Sequence, residues 1–425
     1  KGSTPLAIAR GKKNWEWLGW WPTINAFIIL IYYSMILSWA INYLKLSFTK
    51  GWGNDTNTFF YNSFLNTSNS PLEFGGIVWN ILIGIAFIWG INWFICYKGI
   101  KKGIEKVNKV LLPTLVFIMI VIAIRSINLE GAVKGLNTLF TPDWSMMLKH
   151  EVWIAAYGQV FFSLSLAMGI MMTYSSYLPK DTDINNSAFI TGFANCGFEF
   201  LSAIAVFSIL GYMATAQGVE VSKVVSSGVG LAFIVFPQVF TTMGSIGTVL
   251  GVLFFLCLIF AGITSSVSLI QAVSAPFEDK FGWDKKRVVT ALAILGFLIS
   301  IVFATGAGLY LLDIIDNFIN NYGIVVVGFL EVVLIGWIVT PDEIRSHTNK
   351  VSYFNIGKWW NIMIKYISPA ILIFMLIQTL FTEFTTPYGG YNLKELLLYG
   401  WGVVAFGIIV ALIISRKPWK DKKID

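Results

Sequence analysis

Apolar stretches of 18 or more residues recur along the whole chain of 425 residues, and they limit its possible folds more than any other feature. A helix of about 20 apolar residues crosses ~30 Å of hydrocarbon. Only 12% of the side chains are charged and 56% are apolar, whereas soluble domains carry about 25% charged residues. So few charges cannot cover a water-exposed surface. We therefore expect an all-α membrane protein with a single membrane domain.

Ten stretches have the length and composition of a transmembrane span. They are predicted at Trp21–Leu44, Gly75–Tyr97, Val110–Ile127, Val152–Leu178, Ser187–Ala214, Gly247–Ala275, Val288–Thr305, Leu309–Val339, Trp360–Phe381 and Leu396–Ser415. Tryptophans lie near several span ends, as in the aromatic belts at membrane interfaces.

Lysine and arginine predict the orientation of these spans. If the segment before the first span is cytoplasmic, the inner segments hold 22 basic residues and the outer segments hold 7. Because short cytoplasmic loops carry the excess of Lys and Arg, both ends of the chain are predicted to be cytoplasmic. In outer segment 214–246, the apolar run GVGLAFIVFPQVF is interpreted either as a helix lying over the outer mouth or as an ordinary surface helix.

Two spans contain clusters of small and hydroxylated residues. In span four, Ser163 and Ser165 lie between Gly158 and Gly169. They mark either an unwound segment that coordinates a cation or substrate, or serines bonded to their own preceding turn. Span six carries the hydroxyls of Thr264, Ser265, Ser266 and Ser268. Neutral oxygens suit a hard cation such as sodium, and small residues also serve close helix packing.

Ionisable residues within apolar spans are expensive and usually face a cavity or a partner. Those in or near spans are Glu199, Asp313, Asp316 and Glu331. Glu199 is either functional or a protonated or paired structural group, and Glu331 is expected to be structural. An enzyme is not expected, because the two histidines, His150 and His347, lie in loops predicted on opposite sides of the membrane. The chain also lacks a P-loop, a zinc motif and a nucleotide-binding motif.

Five runs together resemble the neurotransmitter:sodium symporter family, including its bacterial and archaeal leucine-transporter-like members. They are IYYSMILSW, GQVFFSLSLAMGIMMTYSSYL, the region of Asn195, FAGITSSVSLIQAVSAPFED and LLDIIDNF. These runs occur in the family's order and spacing, and the resemblance extends over nearly the entire chain. It implies the inverted-repeat leucine-transporter fold, with the ten spans matching helices 3–12 and the first two helices lacking.

The family's sites carry over residue by residue. The resemblance implies that substrate is bound by Ile29, Tyr33, Phe162, Ser163, Ser165, Met168, Ser265 and Leu269. Two sodium ions are implied, one held by Ser163, Asn195 and the substrate carboxylate, the other by Ala261, Thr264 and Ser265. Glu199 matches the position where chloride-independent members carry an acid. Gate residues are implied at Tyr33, Phe162 and Asp316 on the outer side and at Tyr177 and Asp279 on the inner side.

The resemblance also divides the chain and exposes a departure from the family. Residues 1–20 are expected to be a cytoplasmic loop, 21–127 the remainder of the first inverted repeat, 152–339 the second repeat, and 340–425 the last two helices with a cytoplasmic tail. The arginine partners of the gate acids belong to the family's first helix, which has no counterpart here. Chain 1–425 alone is therefore not expected to transport, whereas a complete protein is.

The expected function is sodium-coupled, chloride-independent symport of a neutral, hydrophobic or aromatic amino acid by alternating access. The expected location is the cell membrane, inner or plasma, with multiple spans. The expected partners are the amino acid, sodium ions and the lipid bilayer, with no nucleic acid. The alternatives are a non-transporting member that binds ligand or acts as a scaffold, and a channel, for which the chain offers no pore loop or ring of acids. Oligomeric state cannot be read from the residues.

Overall fold

The computed structural model describes residues 3–224 and 228–421. Within these ranges nearly all regular structure is helical, and the one β contact is an isolated antiparallel bridge between Ile77 and Thr305. In the same ranges, nine helical segments are long and apolar enough to cross a membrane. The chain is therefore an all-helical integral membrane protein, as its apolar pattern predicts.

The helices are numbered in chain order. They are α1 Thr4–Lys12, α2 Glu16–Ser47, α3 Trp79–Tyr97, α4 Ile100–Ile127, α5 Ala132–Phe140, α6 His150–Ser163, α7 Ile170–Ser175, α8 Ile184–Gln217, α9 Gly228–Thr242, α10 Gly244–Phe281, α11 Lys285–Ala304, α12 Gly308–Val339, α13 Pro341–Val351, α14 359–385 and α15 Leu393–Ser415. Shorter helical turns lie at Thr56–Thr58, Phe59–Phe64, Trp144–Leu148 and Val221–Val224.

Nine of the ten predicted spans are continuous helical segments whose ends mostly differ from the prediction by a few residues. The largest differences are in α4, which begins at Ile100 instead of Val110, and in α10, which extends to Phe281 beyond the predicted end at Ala275. Both extensions are polar and rich in lysine or acid, so hydropathy does not detect them. In α4 the lysines of the extension are exposed, whereas in α10 protein contacts hold the polar residues, since Asp279 accepts from the backbone N–H of Ser3 and Lys280 is buried against Glu16.

The tenth predicted span, Val152–Leu178, is interrupted. Helix α6 ends at Ser163, α7 begins at Ile170, and residues 164–169 are not helical. Ser165, Ala167 and Gly169 have φ angles of 52°, 55° and 70°. A left-handed conformation costs a non-glycine residue on the order of 1–2 kcal/mol. Two such residues in six prevent a continuous helix and free backbone groups in mid-span.

Segment 1–20, predicted as a cytoplasmic loop, is largely helical in its described part. Residues 4–12 form α1, and α2 begins at Glu16 instead of Trp21. Leu6 and Ala9 of α1 are buried together with Trp419. A Cβ atom on Gly19 would lie 2.5 Å from Cα of Pro5, so the two helices approach closely. The segment is packed because its apolar residues cover the end of α2.

Helix α2 lies at the centre of the bundle and packs against α3, α10 and α15. Neighbouring helices are joined by buried polar contacts. Ser266 donates to Oδ1 of Asn92 at 2.8 Å, and Nε1 of Trp89 donates to Oγ of Ser300 at 3.1 Å. Such contacts and small residues at the interface stabilise helix association in lipid. The hydrophobic effect does not drive helices together there, because the lipid tails are also apolar.

The apolar run in segment 214–246 forms α9, which is buried on one side. Phe233 packs its ring 5.1 Å from Tyr43 and 5.5 Å from Trp39, both on α2. Thr56 donates to the carbonyl of Ile234 at 2.9 Å, so the segment after α2 also holds α9. These aromatic contacts pack α9 against the end of α2.

Candidate functional site

The unwound segment 164–169 places one end of α6 against α8. Nδ2 of Asn195 on α8 lies 3.3 Å from Oγ of Ser163, the last residue of α6. The two residues are 32 positions apart, and both side chains are partly buried. The structure thus brings together the two side chains predicted to bind one sodium ion, at the point where the helix opens.

Glu199 extends this contact into a polar chain. Its Oε1 accepts from Nδ2 of Asn195 at 3.3 Å and from Nε2 of Gln159 at 3.2 Å. The carboxylate is therefore paired with two amides and with no base in these contacts. Gln159, one turn before Ser163, was missed at the sequence level, and its spacing of four residues from Ser163 on α6 was the available signal.

The hydroxyl cluster on α10 divides into different environments. Thr264 donates to the carbonyl of Ala261 at 2.8 Å, and Ser265 is exposed at the surface of the described chain. Ser266 is used by Asn92 in helix packing. Ser268 accepts from the hydroxyl of Tyr174 on α7 at 2.8 Å. The oxygens of Ala261, Thr264 and Ser265 thus lie on one short stretch of α10, whereas Ser266 joins helices.

Helix α2 contributes Tyr33 to the same region. Its hydroxyl interacts with the side chain of Ser265. Ile29, one turn earlier on α2, is 3% exposed and belongs to the main core, together with Met168 and Leu269. Phe162 is different, because its side chain is half exposed. The structure therefore buries three of the predicted apolar substrate contacts and leaves the fourth at the surface.

The two groups of predicted sodium ligands form separate sets of contacts in the described part of the chain. Among the hydrogen bonds of the described residues, none links the Ser163–Asn195 pair to Ala261, Thr264 or Ser265. Each group is held internally, and the contact between Tyr174 and Ser268 connects α7 to α10 beside them. Ser165 lies in the unwound segment and has a positive φ.

At the outer gate predicted from sequence, Asp316 contacts the neighbour of the expected tyrosine. Its Oδ1 accepts from the hydroxyl of Tyr32 at 2.7 Å and from Nδ2 of Asn320 at 2.9 Å. Tyr32 and Tyr33 are adjacent on α2 and point about 100° apart. The sequence reasoning singled out Tyr33 and missed Tyr32, although the pair Tyr-Tyr was in the motif.

Asp313, one turn before Asp316 on α12, anchors the connection between α14 and α15. Its two carboxylate oxygens accept from the hydroxyls of Tyr388 at 2.8 Å and Tyr391 at 2.9 Å. Burial, and then the negative charge of Asp313, raise the pKa of Tyr391, so its hydroxyl stays protonated as a donor. These contacts hold the loop after α14 over the end of α12.

Of the two residues predicted as an inner gate, Asp279 lies near the last residue of α10. Oδ2 of Asp279 accepts from the backbone N–H of Ser3 at 2.8 Å. The hydroxyl of Tyr177 accepts from Nε2 of Gln271 at 2.7 Å and lies within electrostatic reach of Asp279. Gln271 and Ser3 were missed as partners, because neither stands out by residue type.

A discontinuous helix inside a multi-span bundle, with neutral oxygens gathered at the break, defines the class of broken-helix membrane transporters. The sequence comparisons agree with this class. The profile of the sodium:neurotransmitter symporter family matches residues 52–417, and the chain belongs to that family. The family consists of transporters and is not a class of enzymes.

Two relatives show over how much of its length the chain is similar to other members. An uncharacterized sodium-dependent transporter of Methanocaldococcus jannaschii is 38% identical over 416 residues, which are 98% of this chain and 84% of the relative. A sodium- and chloride-dependent glycine transporter 1 of Xenopus laevis is 30% identical over 331 residues. That match covers 76% of this chain and about half, 51%, of the frog protein.

Proposed function

We propose that the full-length gene product is a sodium-coupled symporter of a neutral amino acid with a hydrophobic or aromatic side chain. The observation that carries the proposal is the approach of Asn195 to Ser163 beside the unwound segment 164–169. Side-chain oxygens and freed backbone carbonyls at a helix break are suited to replace the water around a cation.

The first sodium ion would be held by Ser163, Asn195 and the carboxylate of the bound amino acid. A carboxylate shared by ion and protein couples the two ligands, because each then raises the affinity for the other by the same factor. The second ion would be held by the carbonyl of Ala261 with the hydroxyls of Thr264 and Ser265. The contact of Thr264 with Ala261 at 2.8 Å supports this grouping.

The amino acid would lie between α2, the helix break and α10. Tyr33, whose hydroxyl interacts with the side chain of Ser265, would donate to the carboxylate of the amino acid. Ile29, Met168 and Leu269 supply apolar surface for the side chain, and Ser165 and Phe162 complete the proposed lining. The glycine carried by the frog relative supports an amino acid as the substrate class.

Transport is proposed to be independent of chloride. Glu199 places a carboxylate 3.3 Å from the amide of Asn195, next to the proposed sodium ligands. A fixed negative charge at this distance offsets the charge of a bound cation in the same way as an anion from solution.

Alternating access would open the site in turn to each side of the cell membrane, with both chain ends in the cytoplasm. Phe162, Tyr33 and Asp316 are proposed to close the outer side, and Tyr177 with Asp279 the inner side. The repeats at 21–127 and 152–339 would move against each other around the site.

The test is uptake by the full-length gene product in proteoliposomes, with a panel of labelled amino acids and an inward sodium gradient. Asn195→Ala is expected to raise the half-saturating sodium concentration at least about tenfold. Ser202→Ala is the matched control on α8, because the hydroxyl of Ser202 donates to the carbonyl of Phe198 in its own preceding turn. Binding of an amino acid without gradient-driven uptake would select the non-transporting alternative.

A further inference from the structure

A lysine-lined cavity lies where α3 ends and where α4 and α11 begin, apart from the proposed transport site. Its volume is about 850 Å³. Its lining consists of Tyr97, Lys98, Lys101, Lys102, Glu105, Lys106, Lys109, Val110 and Lys286. Six ammonium groups therefore face one space: four belong to α4, one to α11, and one to Lys98, which follows the last residue of α3.

The charge of this cavity is poorly balanced by its own residues. The one acid in the lining, Glu105, is already paired with Lys109, with Nζ and Oε1 2.7 Å apart. Lys101, Lys102 and Lys106 are exposed into the cavity region. Like charges held together repel each other. An anion bound among the lysines would therefore reduce the electrostatic repulsion between their ammonium groups.

The lysines are carried by a fixed backbone and not by a loose loop. Gly99 has a φ of 82°, which turns the chain sharply after α3. A Cβ atom on Gly103 would lie 2.0 Å from the carbonyl oxygen of Ile95, so the first turn of α4 is pressed against α3. Ile104 is 3% exposed. The positions of Lys101 and Lys102 are therefore set by packed neighbours on each side.

The edge of the cavity is apolar and aromatic. Nζ of Lys98 lies 3.9 Å from the ring centroid of Phe94, and Nζ of Lys286 lies 5.0 Å from that of Tyr97. Phe94 and Val110 are 53% and 62% exposed on the outer surfaces of α3 and α4. Lysines that extend along aromatic rings at the ends of membrane helices are placed at the headgroup level.

We propose that this cavity binds the phosphate headgroup of an anionic phospholipid, whose acyl chains lie along the exposed apolar surfaces of α3 and α4. A soluble phosphate would use the lysines and leave the apolar edge without a role. A lipid uses both, since basic pockets at the membrane boundary attract anionic headgroups and apolar surface receives the chains.

The experiment measures lipid binding to the purified full-length gene product by native mass spectrometry. The probes are dioctanoyl phosphatidylglycerol, dioctanoyl phosphatidylcholine and glycerol 3-phosphate. The wild-type protein is expected to bind the phosphatidylglycerol at least about tenfold more tightly than the phosphatidylcholine. The combined variant Lys101→Gln, Lys102→Gln and Lys106→Gln is expected to lose this preference.

A matched variant removes the same charge elsewhere. Lys12→Gln, Arg416→Gln and Lys417→Gln change three exposed residues outside the cavity and should leave the preference unchanged. Lys101→Arg, Lys102→Arg and Lys106→Arg keep the charge and should retain binding even if the glutamine variant folds poorly. The proposal is overturned by equal wild-type affinity for the two lipids, by equal loss in the matched variant, or by competition from glycerol 3-phosphate at the concentration of the lipid.

Discussion

The ammonium group of Lys280 on α10 is buried against the carboxylate of Glu16 on α2, and the two side chains are 0% and 3% exposed. The indole N–H groups of Trp20 and Trp419 donate to Oε1 and Oε2 of Glu16, at 2.9 Å and 2.8 Å. Nζ of Lys280 also donates to the carbonyl of Ser415 at 3.2 Å. The segment after α15 therefore closes over an ion pair that joins the ends of α2 and α10.

Replacing Lys280 with methionine should destabilise the protein strongly. The apolar side chain fills the space but leaves the carboxylate of Glu16 buried without its cation, which typically costs about 3–5 kcal/mol. Thermal unfolding of the purified protein should show a clear drop in midpoint for Lys280→Met, whereas the exposed Lys12→Met should leave it nearly unchanged. The double variant Lys280→Met with Glu16→Gln should recover part of the loss. A midpoint equal to wild type in the single variant would show that the pair does not matter for stability.

Replacing Trp419 with phenylalanine tests whether the segment after α15 is held by its hydrogen bond to Glu16. The ring stays apolar, but Glu16 loses a charged hydrogen bond, for which the expected cost is about 1.5–3 kcal/mol. The same unfolding measurement applies, with Trp144→Phe as control because Trp144 is 71% exposed. Equal midpoints for the two variants would mean that the segment after α15 is not fastened by this bond.

Tyr32 and Tyr33 should have separable effects in the full-length gene product. Tyr32→Phe removes one of the two hydrogen bonds recorded to Asp316, and the proposed outer gate should open more readily. Release of bound labelled amino acid is then expected to accelerate about tenfold, the factor for one charged hydrogen bond. Tyr33→Phe should instead weaken substrate affinity itself. Unchanged release from Tyr32→Phe, alongside the exposed control Tyr353→Phe, would remove Tyr32 from the gate.

Glu199→Ser tests chloride independence. Wild-type uptake is expected to be equal in sodium chloride and sodium gluconate, because the carboxylate near Asn195 supplies the charge. Uptake by Glu199→Ser should fall at least about tenfold in gluconate and recover when chloride is added, since losing a charge close to a bound cation costs more than 1.4 kcal/mol. Glu130→Ser changes an exposed acid and should behave as wild type. Chloride-free uptake that survives Glu199→Ser would contradict the proposal.

Gly135→Ala should weaken the packing of α5 on α8. A Cβ atom at Gly135 would lie 1.7 Å from the carbonyl oxygen of Phe207, so the helices must separate at a cost of about 1–3 kcal/mol. Gly90 on α3 has no atom within 4 Å of its added Cβ, and Gly90→Ala should be neutral or slightly stabilising, because alanine favours a helix. The midpoint of thermal unfolding should therefore fall for Gly135→Ala and stay unchanged or rise slightly for Gly90→Ala.

The sequence alone determined the approximate position of most membrane helices: nine of the ten predicted spans are continuous helical segments, and the tenth is broken at 164–169. Hydrocarbon thickness sets a minimum length for each apolar run, so Ile184–Gln217 or Gly244–Phe281 could be located without tertiary contacts. Motif resemblance predicted the family, which the comparisons confirm. The polar first ten residues of α4, 100–109, and the packed helix α1 were missed, because neither is long and apolar.

Only the tertiary structure decided where the polar side chains of these helices point. The serines of span four were compatible with an ordinary helix, and the break at 164–169 emerged only with the strained backbone of Ser165 and Ala167. Glu16 and Lys280 are 264 positions apart, and nothing local in either marks a partner. Composition governs the burial of a helix in lipid, whereas a hydrogen bond or ion pair depends on a few ångströms between atoms that the chain brings together only when it is folded.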